Sequence, residues 1–175
     1  MNIAIFGSAF NPPSFGHKSV LERLQHFDLV LLVPSIAHAW GKDMIAYTHR
    51  CKMVEAFIAD IGLDNVQMSN IEESILQPSD KHQAQSVTTF AVMTGLQEVY
   101  PHSQLTFVLG PDNFLNFSKF YKADEITTKW SVLACPETLP IRSTHIRQRL
   151  ASHQAIDDLT TPSVATYIKQ NRLYC

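Results

Sequence analysis

Cysteine is scarce in this sequence, with three residues in 175, at Cys51, Cys135 and Cys175. They are far apart and form no CxxC pair or Cys/His ligand spacing, which argues against a structural zinc site. Free thiols in a reducing compartment are the simpler reading. Charge is sparse too. Charged residues make up 17% of the chain, and 14 Lys plus Arg against 16 Asp plus Glu leave a formal net charge of -2. Such a balance is a poor match for a general nucleic-acid or membrane-surface binder. Any polyanion bound here is a small one, met by a few local donors. No run of about 18 apolar residues exists, so no membrane-spanning helix is expected. The opening MNIAIFGSAFNPP lacks a basic region and reads as a strand and turn, not a signal peptide. There is no internal repeat, low-complexity tract or dividing linker. At roughly 100–200 residues per domain, residues 1–175 are expected to form one cytoplasmic α/β domain.

The chain does contain enough apolar residues, 45%, for a substantial core. Short apolar runs bounded by Gly, Pro or Asp suit buried parallel strands. They fall at Asn2–Phe6, Asp28–Val33, Asn65–Ile71, Gln104–Leu109 and Trp130–Ala134. Helical patterns lie between them. His17–Phe27 is one. A second, capped at Thr48, carries Met53, Val54, Phe57, Ile58 and Ile61 on one stripe and stops at Gly62. Val87–Tyr100 is a third. Thr161-Pro162 reads as an N-cap followed by proline at the first helical position. Alternating strands and helices predict a doubly wound five-stranded parallel sheet with two closing C-terminal helices. Glu72 and Glu73 are expected to be solvated.

Two helix starts carry the chemistry. Phe6-Gly7-Ser8-Ala9-Phe10-Asn11-Pro12-Pro13-Ser14-Phe15-Gly16-His17 joins the first strand to the first helix. Ligands of open α/β sheets sit at the carboxyl ends of strands, and a helix start there can hold phosphate. Gly7 would let a ligand approach the backbone. Gly16 would let the helix start press on its surroundings, and His17 would face the same space. The segment is neither GxGxxG nor GxxxxGK[ST], which weakens hydride-transfer and P-loop readings. An ordinary βα turn stands beside the ligand reading. The second start is Ile141-Arg142-Ser143-Thr144-His145-Ile146-Arg147. Ser143 or Thr144 is the expected N-cap, with Arg147 one turn along and able to reach over it. A routine surface helix is the alternative.

The first segment, GSAFNPPSFGH, resembles the signature GGTFDPxHxGH of the nicotinate-nucleotide adenylyltransferases, a branch of the HxGH nucleotidyltransferases. Gly7, Phe10, Pro12, Gly16 and His17 match. Ser8, Ala9 and Asn11 are replacements. Ser14 stands where the first HxGH histidine belongs, a position that carries threonine in the related phosphopantetheine adenylyltransferases. The second segment resembles IS[SA]TxIR, with Arg142 for the first serine. The two signatures are expected at opposite ends of the sheet. Similarity extends through Arg50–Met53 (RxxM, expected to pack), Ser86-Val87-Thr88, Leu109–Asn113, Phe117–Phe120 and the closing PxxVxxYI…LY. The connection before Ile141 is shorter than in the family.

The resemblance implies adenylyl transfer from ATP, carried by Mg²⁺, to nicotinate or nicotinamide mononucleotide. His17 would bind the α- or β-phosphate, with Ser14 as a weaker neutral donor. Ser143, Thr144 and Arg147 would hold the β- and γ-phosphates. Gly7, Ser8, Ala9, Phe10, Gly16, Gly110 and Asp112 would line the ATP site, and Asp112 would meet ribose or cap a helix. Thr88 would read the pyridine substituent and Phe120 would stack on the ring. Lys42 would meet a phosphate, with His38 or Trp40 shaping the pocket. Of the aromatics Phe114, Phe117, Phe120 and Tyr121, most are expected in the core. No protein-held metal, nucleic acid or membrane partner is implied, and a homo-oligomer stays open. So do two other functions: nucleotide binding with little or no transfer, and transfer to another acceptor such as phosphopantetheine.

Overall fold

The computed structural model describes residues 1–37, 44–76 and 86–174. Its centre is a five-stranded parallel sheet in the order β3-β2-β1-β4-β5. The strands are β1 (Asn2–Ser8), β2 (Leu29–Pro34), β3 (Val66–Met68), β4 (Gln104–Leu109) and β5 (Ser131–Ala134). The helices are α1 (Phe15–Leu21), α2 (Tyr47–Ile61), α3 (Ile71–Ile75), α4 (Thr89–Val99), α5 (Pro111–Leu115), α6 (Ala123–Lys129), α7 (Ser143–Ala151) and α8 (Pro162–Gln170). The fold is the expected Rossmann-like α/β type, with α7 and α8 as the closing pair.

Side-chain alternation builds two cores. In β1, Ala4 and Phe6 face one side of the sheet while Ile3 and Ile5 face the other. Val30 and Leu32 of β2 join the first set, and Leu29, Leu31 and Val33 the second. The first face is covered by the stripe Met53, Val54, Phe57 and Ile61 of α2, by Val20 and Leu21 of α1, and by Ile146, Val164 and Ile168 of α7 and α8. Val92, Met93 and Leu96 of α4 and Ile126 of α6 cover the second. Helices on both faces explain why the central strands are apolar without interruption. The α2 stop is also as expected, with Gly62 in the left-handed conformation at φ 66°.

Several boundaries differ from expectation. The first helix begins two residues earlier, at Phe15, because Ser14 caps it. The third strand shrinks to Val66–Met68, and Ile71 starts a helix instead of ending a strand. The cap of α7 is Arg142, not Ser143 or Thr144. The two signatures are not at opposite ends of the sheet. β1 is its central strand, and α7 returns from β5 to lie against the β1–α1 loop.

That return depends on Gly16. A Cβ placed there would lie 2.0 Å from the Ile141 carbonyl oxygen and 3.1 Å from its carbon. Both are backbone atoms, so relief requires the two helix starts to separate. Gly16→Ala is therefore expected to cost about 1–3 kcal/mol, in the range of overpacked sites, as read by a lower urea midpoint.

Candidate active site

The sheet order places β1 between β2 and β4, so the chain reverses direction across the sheet at β1 and β4. Ligands of open α/β sheets bind at this switch point, beyond the carboxyl ends of the strands. Ser8 ends β1, and Gly110 follows β4 as the cap of α5. The α1 and α7 starts converge beside this crevice. Ser143 Oγ donates to the Pro12 carbonyl at 2.6 Å, and Arg147 Nη1 donates to the Asn11 carbonyl at 2.7 Å. Thr160 Oγ1 donates to the Pro13 carbonyl at 2.8 Å, and the Tyr174 hydroxyl donates to Asn11 Oδ1 at 2.7 Å. The loop that leaves β1 is thus held from the C-terminal part of the chain.

His17 stands in the first turn of α1. Its ring packs on Phe10 at 4.9 Å between centroids and lies 6.1 Å from Phe6. Burial of the ring pushes its pKa down to about 4, so it is neutral near pH 7. The Ser14 backbone N–H donates to Nδ1 at 3.0 Å. Nδ1 is therefore the lone-pair nitrogen, and the proton sits on Nε2. Nε2 points at Ser8 Oγ, 3.2 Å away. A neutral N–H donor is thus held at the end of β1.

Ser14 makes contacts within the protein that the sequence reading did not include. It is 1% exposed, and its hydroxyl donates to the Ile141 carbonyl at 3.0 Å. The hydroxyl also accepts weakly, at 3.5 Å, from the His17 N–H as the α1 cap. The same hydroxyl lies 3.0 Å from His17 Nδ1, so two acceptors at one distance compete for its single hydrogen. Ser14 orients His17 and ties α1 to the segment before α7. The α7 start repeats the device: the Arg142 N–H donates to His145 Nδ1 at 3.3 Å. In each case a histidine three residues after the cap returns to the cap's N–H, as a Glu or Gln would in a capping box.

The other expected ATP-site residues divide by position. Ser8 and Gly110 mark the strand ends, and a Cβ on Gly110 would meet nothing within 4 Å. Gly7 has room as well, with only the Val33 carbonyl oxygen at 3.9 Å. Phe10 is fully buried with φ 45°, so it shapes the loop and supports His17. Ala9 offers its carbonyl to Arg50 at 2.8 Å. Asp112 lies exposed in the first turn of α5, with a carboxylate oxygen 3.5 Å from the Arg142 guanidinium. Thr144 is exposed and accepts from Arg147 Nη2 at 3.3 Å.

The expected acceptor residues stand elsewhere. Thr88 caps α4, its hydroxyl accepting from the Ala91 N–H at 3.2 Å. Phe120 is half-buried against Phe117 and Phe107, at 5.1 and 6.3 Å. Phe114 and Tyr121 are exposed, so less of that aromatic group is core than expected. Lys42, His38 and Trp40 lie outside the described residues.

Two charged side chains had no functional reading from the sequence. Arg50, expected only to pack, is 1% exposed and donates to three backbone carbonyls. Glu72, expected in solvent, is 5% exposed and accepts from the Ile36 N–H at 2.7 Å. Burial raises its pKa to about 7, against the opposing pull of that N–H and of the Arg50 charge. One signal was visible in advance. Arg50 precedes Met53, Val54 and Phe57 at helical spacing, which puts a cation on the apolar stripe.

Comparison with known proteins agrees with this fold. The cytidylyltransferase-like family model matches residues 5–149. The nicotinate-nucleotide adenylyltransferase of Bacillus subtilis is 27% identical over 98% of this chain and 97% of its own. A crystal structure of a candidate nicotinate-nucleotide adenylyltransferase from Vibrio parahaemolyticus is 53% identical, with a TM-score of 0.85, covering 97% of this chain and 99% of that one. The nicotinic acid mononucleotide adenylyltransferase of Plasmodium falciparum, complexed with NaAD, shares the fold at 18% identity. Its TM-score is 0.77, over 99% of this chain and 97% of that one. With both signatures gathered at one switch point and the family model spanning most of its length, the chain belongs to the cytidylyltransferase-like family.

Proposed function

We propose that the protein transfers the adenylyl group of ATP to nicotinate mononucleotide, forming the dinucleotide of NAD synthesis and releasing pyrophosphate. One observation carries the reading: the His17 start and the Arg147 start meet at the β1/β4 crevice, joined through Pro12 and Asn11. The names of the relatives supply the acceptor. A phosphate oxygen of the mononucleotide attacks the α-phosphorus of ATP. A P–O bond forms there as the bond to the β-phosphate bridge breaks, and no side chain becomes covalent. Catalysis of this kind rests on positioning and on donors aimed at developing charge.

His17 gives its Nε2 proton as a hydrogen bond to an α- or β-phosphate oxygen, exchanging Ser8 Oγ for the ligand. Arg147, Thr144 and the α7 start hold the outer phosphates; the Thr144 hydroxyl accepts from Arg147 and keeps its own hydrogen for a ligand. Ser143 acts mainly by fixing Pro12. Mg²⁺ would accompany ATP as part of the substrate and would offset charge on its phosphates. Thr88, Phe120 and Lys42 serve the acceptor. No helix among the described residues is long and apolar enough to cross a membrane, and a cytoplasmic place goes with the substrates. Ser14 in place of the first HxGH histidine supports a second reading, a nucleotide-binding protein with little transfer, because a neutral hydroxyl is the weaker phosphate donor.

The test is direct. Purified protein with ATP, Mg²⁺ and nicotinate mononucleotide is expected to yield dinucleotide and pyrophosphate, with nicotinamide mononucleotide and phosphopantetheine as comparison acceptors. His17→Ala is expected to lower kcat by about 10²–10³, the usual loss for one such donor. Tight ATP binding without turnover on any acceptor would sink the transfer reading and favour the second.

The titration of His17 has a separate consequence. Between pH 6.5 and about 4 the unfolded chain takes up a proton that the folded ring refuses. The His17 contribution to stability is therefore complete above pH 6.5 and falls as pH drops through that window. Urea midpoints at pH 7 and pH 4.5 are expected to fall further apart in the native protein than in His17→Gln.

A further inference from the structure

Arg50 is the largest fully buried side chain in the described structure. Its Nε donates to the Ile45 carbonyl at 3.1 Å, Nη1 to the Ala9 carbonyl at 2.8 Å, and Nη2 to the Ile36 carbonyl at 3.0 Å. The three acceptors belong to three different stretches of backbone. Ala9 lies in the loop that leaves β1. Ile36 lies just after β2, and Ile45 just before α2. One planar fork therefore fixes the outgoing and returning limbs of the β2–α2 connection to each other, and both to the β1–α1 loop. Glu72 completes the arrangement. Its carboxylate accepts from the Ile36 N–H at 2.7 Å, so the Ile36 residue is gripped on both sides. The Ser35 N–H adds a link to the Ser8 carbonyl at 3.0 Å.

Packing alone does not account for this. An apolar side chain would fill the volume without the cost of taking a guanidinium out of water. It would leave three carbonyls without their donor, each a costly loss once buried. The Ala9 contact also has a direct route to the chemistry. The next residue, Phe10, adopts φ 45°, a left-handed backbone that is strained for a bulky side chain. Its ring is fully buried and stacks 4.9 Å from His17.

We propose that Arg50 is a positioning residue of the transferase. Through Ala9 and Phe10 it sets the aim of His17, and through Ile36 and Ile45 it fixes the two described ends of the β2–α2 connection relative to that loop. Glu72 holds the fork's partner peptide in place. The proposal rests on the adenylyl-transfer reading. It concerns the relative placement of two loops, so its loss appears in the reacting geometry more than in the hold on ATP.

The test uses Arg50→Lys, Arg50→Met, Glu72→Gln and Glu72→Leu in the full chain, each assayed below its own unfolding temperature. Lysine keeps the charge but cannot span three carbonyls in one plane. Both Arg50 variants are expected to lose about 10²-fold in kcat, the scale of a 1 Å misplacement. The KM for ATP is expected to move by less than about 3-fold, the pattern of a lost transition-state interaction. The His17 ring, followed by NMR titration, is expected to move from about 4 toward its ordinary value as Phe10 loosens. Glu72→Gln, which still offers an acceptor to Ile36, is expected to retain at least ten times the kcat of Glu72→Leu.

Unchanged kcat and an unmoved His17 titration in Arg50→Lys, with only the unfolding temperature lowered, would overturn the proposal. If both Arg50 variants fail to fold, the Glu72 pair decides, and equal behaviour of Gln and Leu overturns it. The titration needs no turnover. A native protein that makes no dinucleotide would remove the transfer reading while the His17 shift still judged the Arg50 linkage.

Discussion

Between Gly16 and Ile141 there is no room for one more carbon atom. The rest of the site depends on that approach. It brings the Ile141 carbonyl within reach of the Ser14 hydroxyl, which caps α1 and orients His17. It also sets α7 where Ser143 and Arg147 meet the carbonyls of Pro12 and Asn11. Those carbonyls belong to no strand ladder, so their partners come from side chains distant in the chain. The α1 and α7 starts, each with the partial positive charge of a helix N-terminus, are thereby brought together at one crevice.

The polar side chains at this site divide into two kinds. Arg147 and Thr144 lie near solvent and pair with each other, and Arg147 also holds the Asn11 carbonyl. His17 carries no charge near neutral pH, because burial against Phe10 drives its proton off. It is an oriented neutral N–H donor, its tautomer set by the Ser14 N–H. Arg50 and Glu72 are the second kind, buried where no ligand need reach them. Their partners are backbone atoms, and they shape the loops that form the site. A site with one neutral histidine donor leans more heavily on such shaping, because fewer donors must each be better placed.

Much of the fold was legible in advance. The five apolar runs became five parallel strands, and the α2 stripe and Gly62 stop fell where the spacing put them. The two helix starts were legible from Gly16, His17, Ser143 and Arg147. The misses share a cause. Glu72 looked solvated because nothing in its neighbours shows that Ile36, 36 residues earlier, directs an N–H at it. The tie from the Ser14 hydroxyl to the Ile141 carbonyl was invisible because Ile141 lies 127 residues away. Arg50 sat visibly on an apolar stripe, but its three acceptors are backbone carbonyls, and every residue has one.

The sequence by itself determined the layers of this protein and the residue types of its chemistry. Alternation in the strands, helical stripes and caps are local properties that adjacent residues impose through backbone geometry and solvent exclusion. Only the tertiary structure decided that the two signatures share one mouth. It also decided that Ser14 contacts both His17 and Ile141, and that Arg50 ties together the backbone around the crevice. These outcomes are contacts between backbone atoms and side chains as much as 136 residues apart. Such contacts leave no periodic trace along the chain, because they arise only when packing brings the segments together.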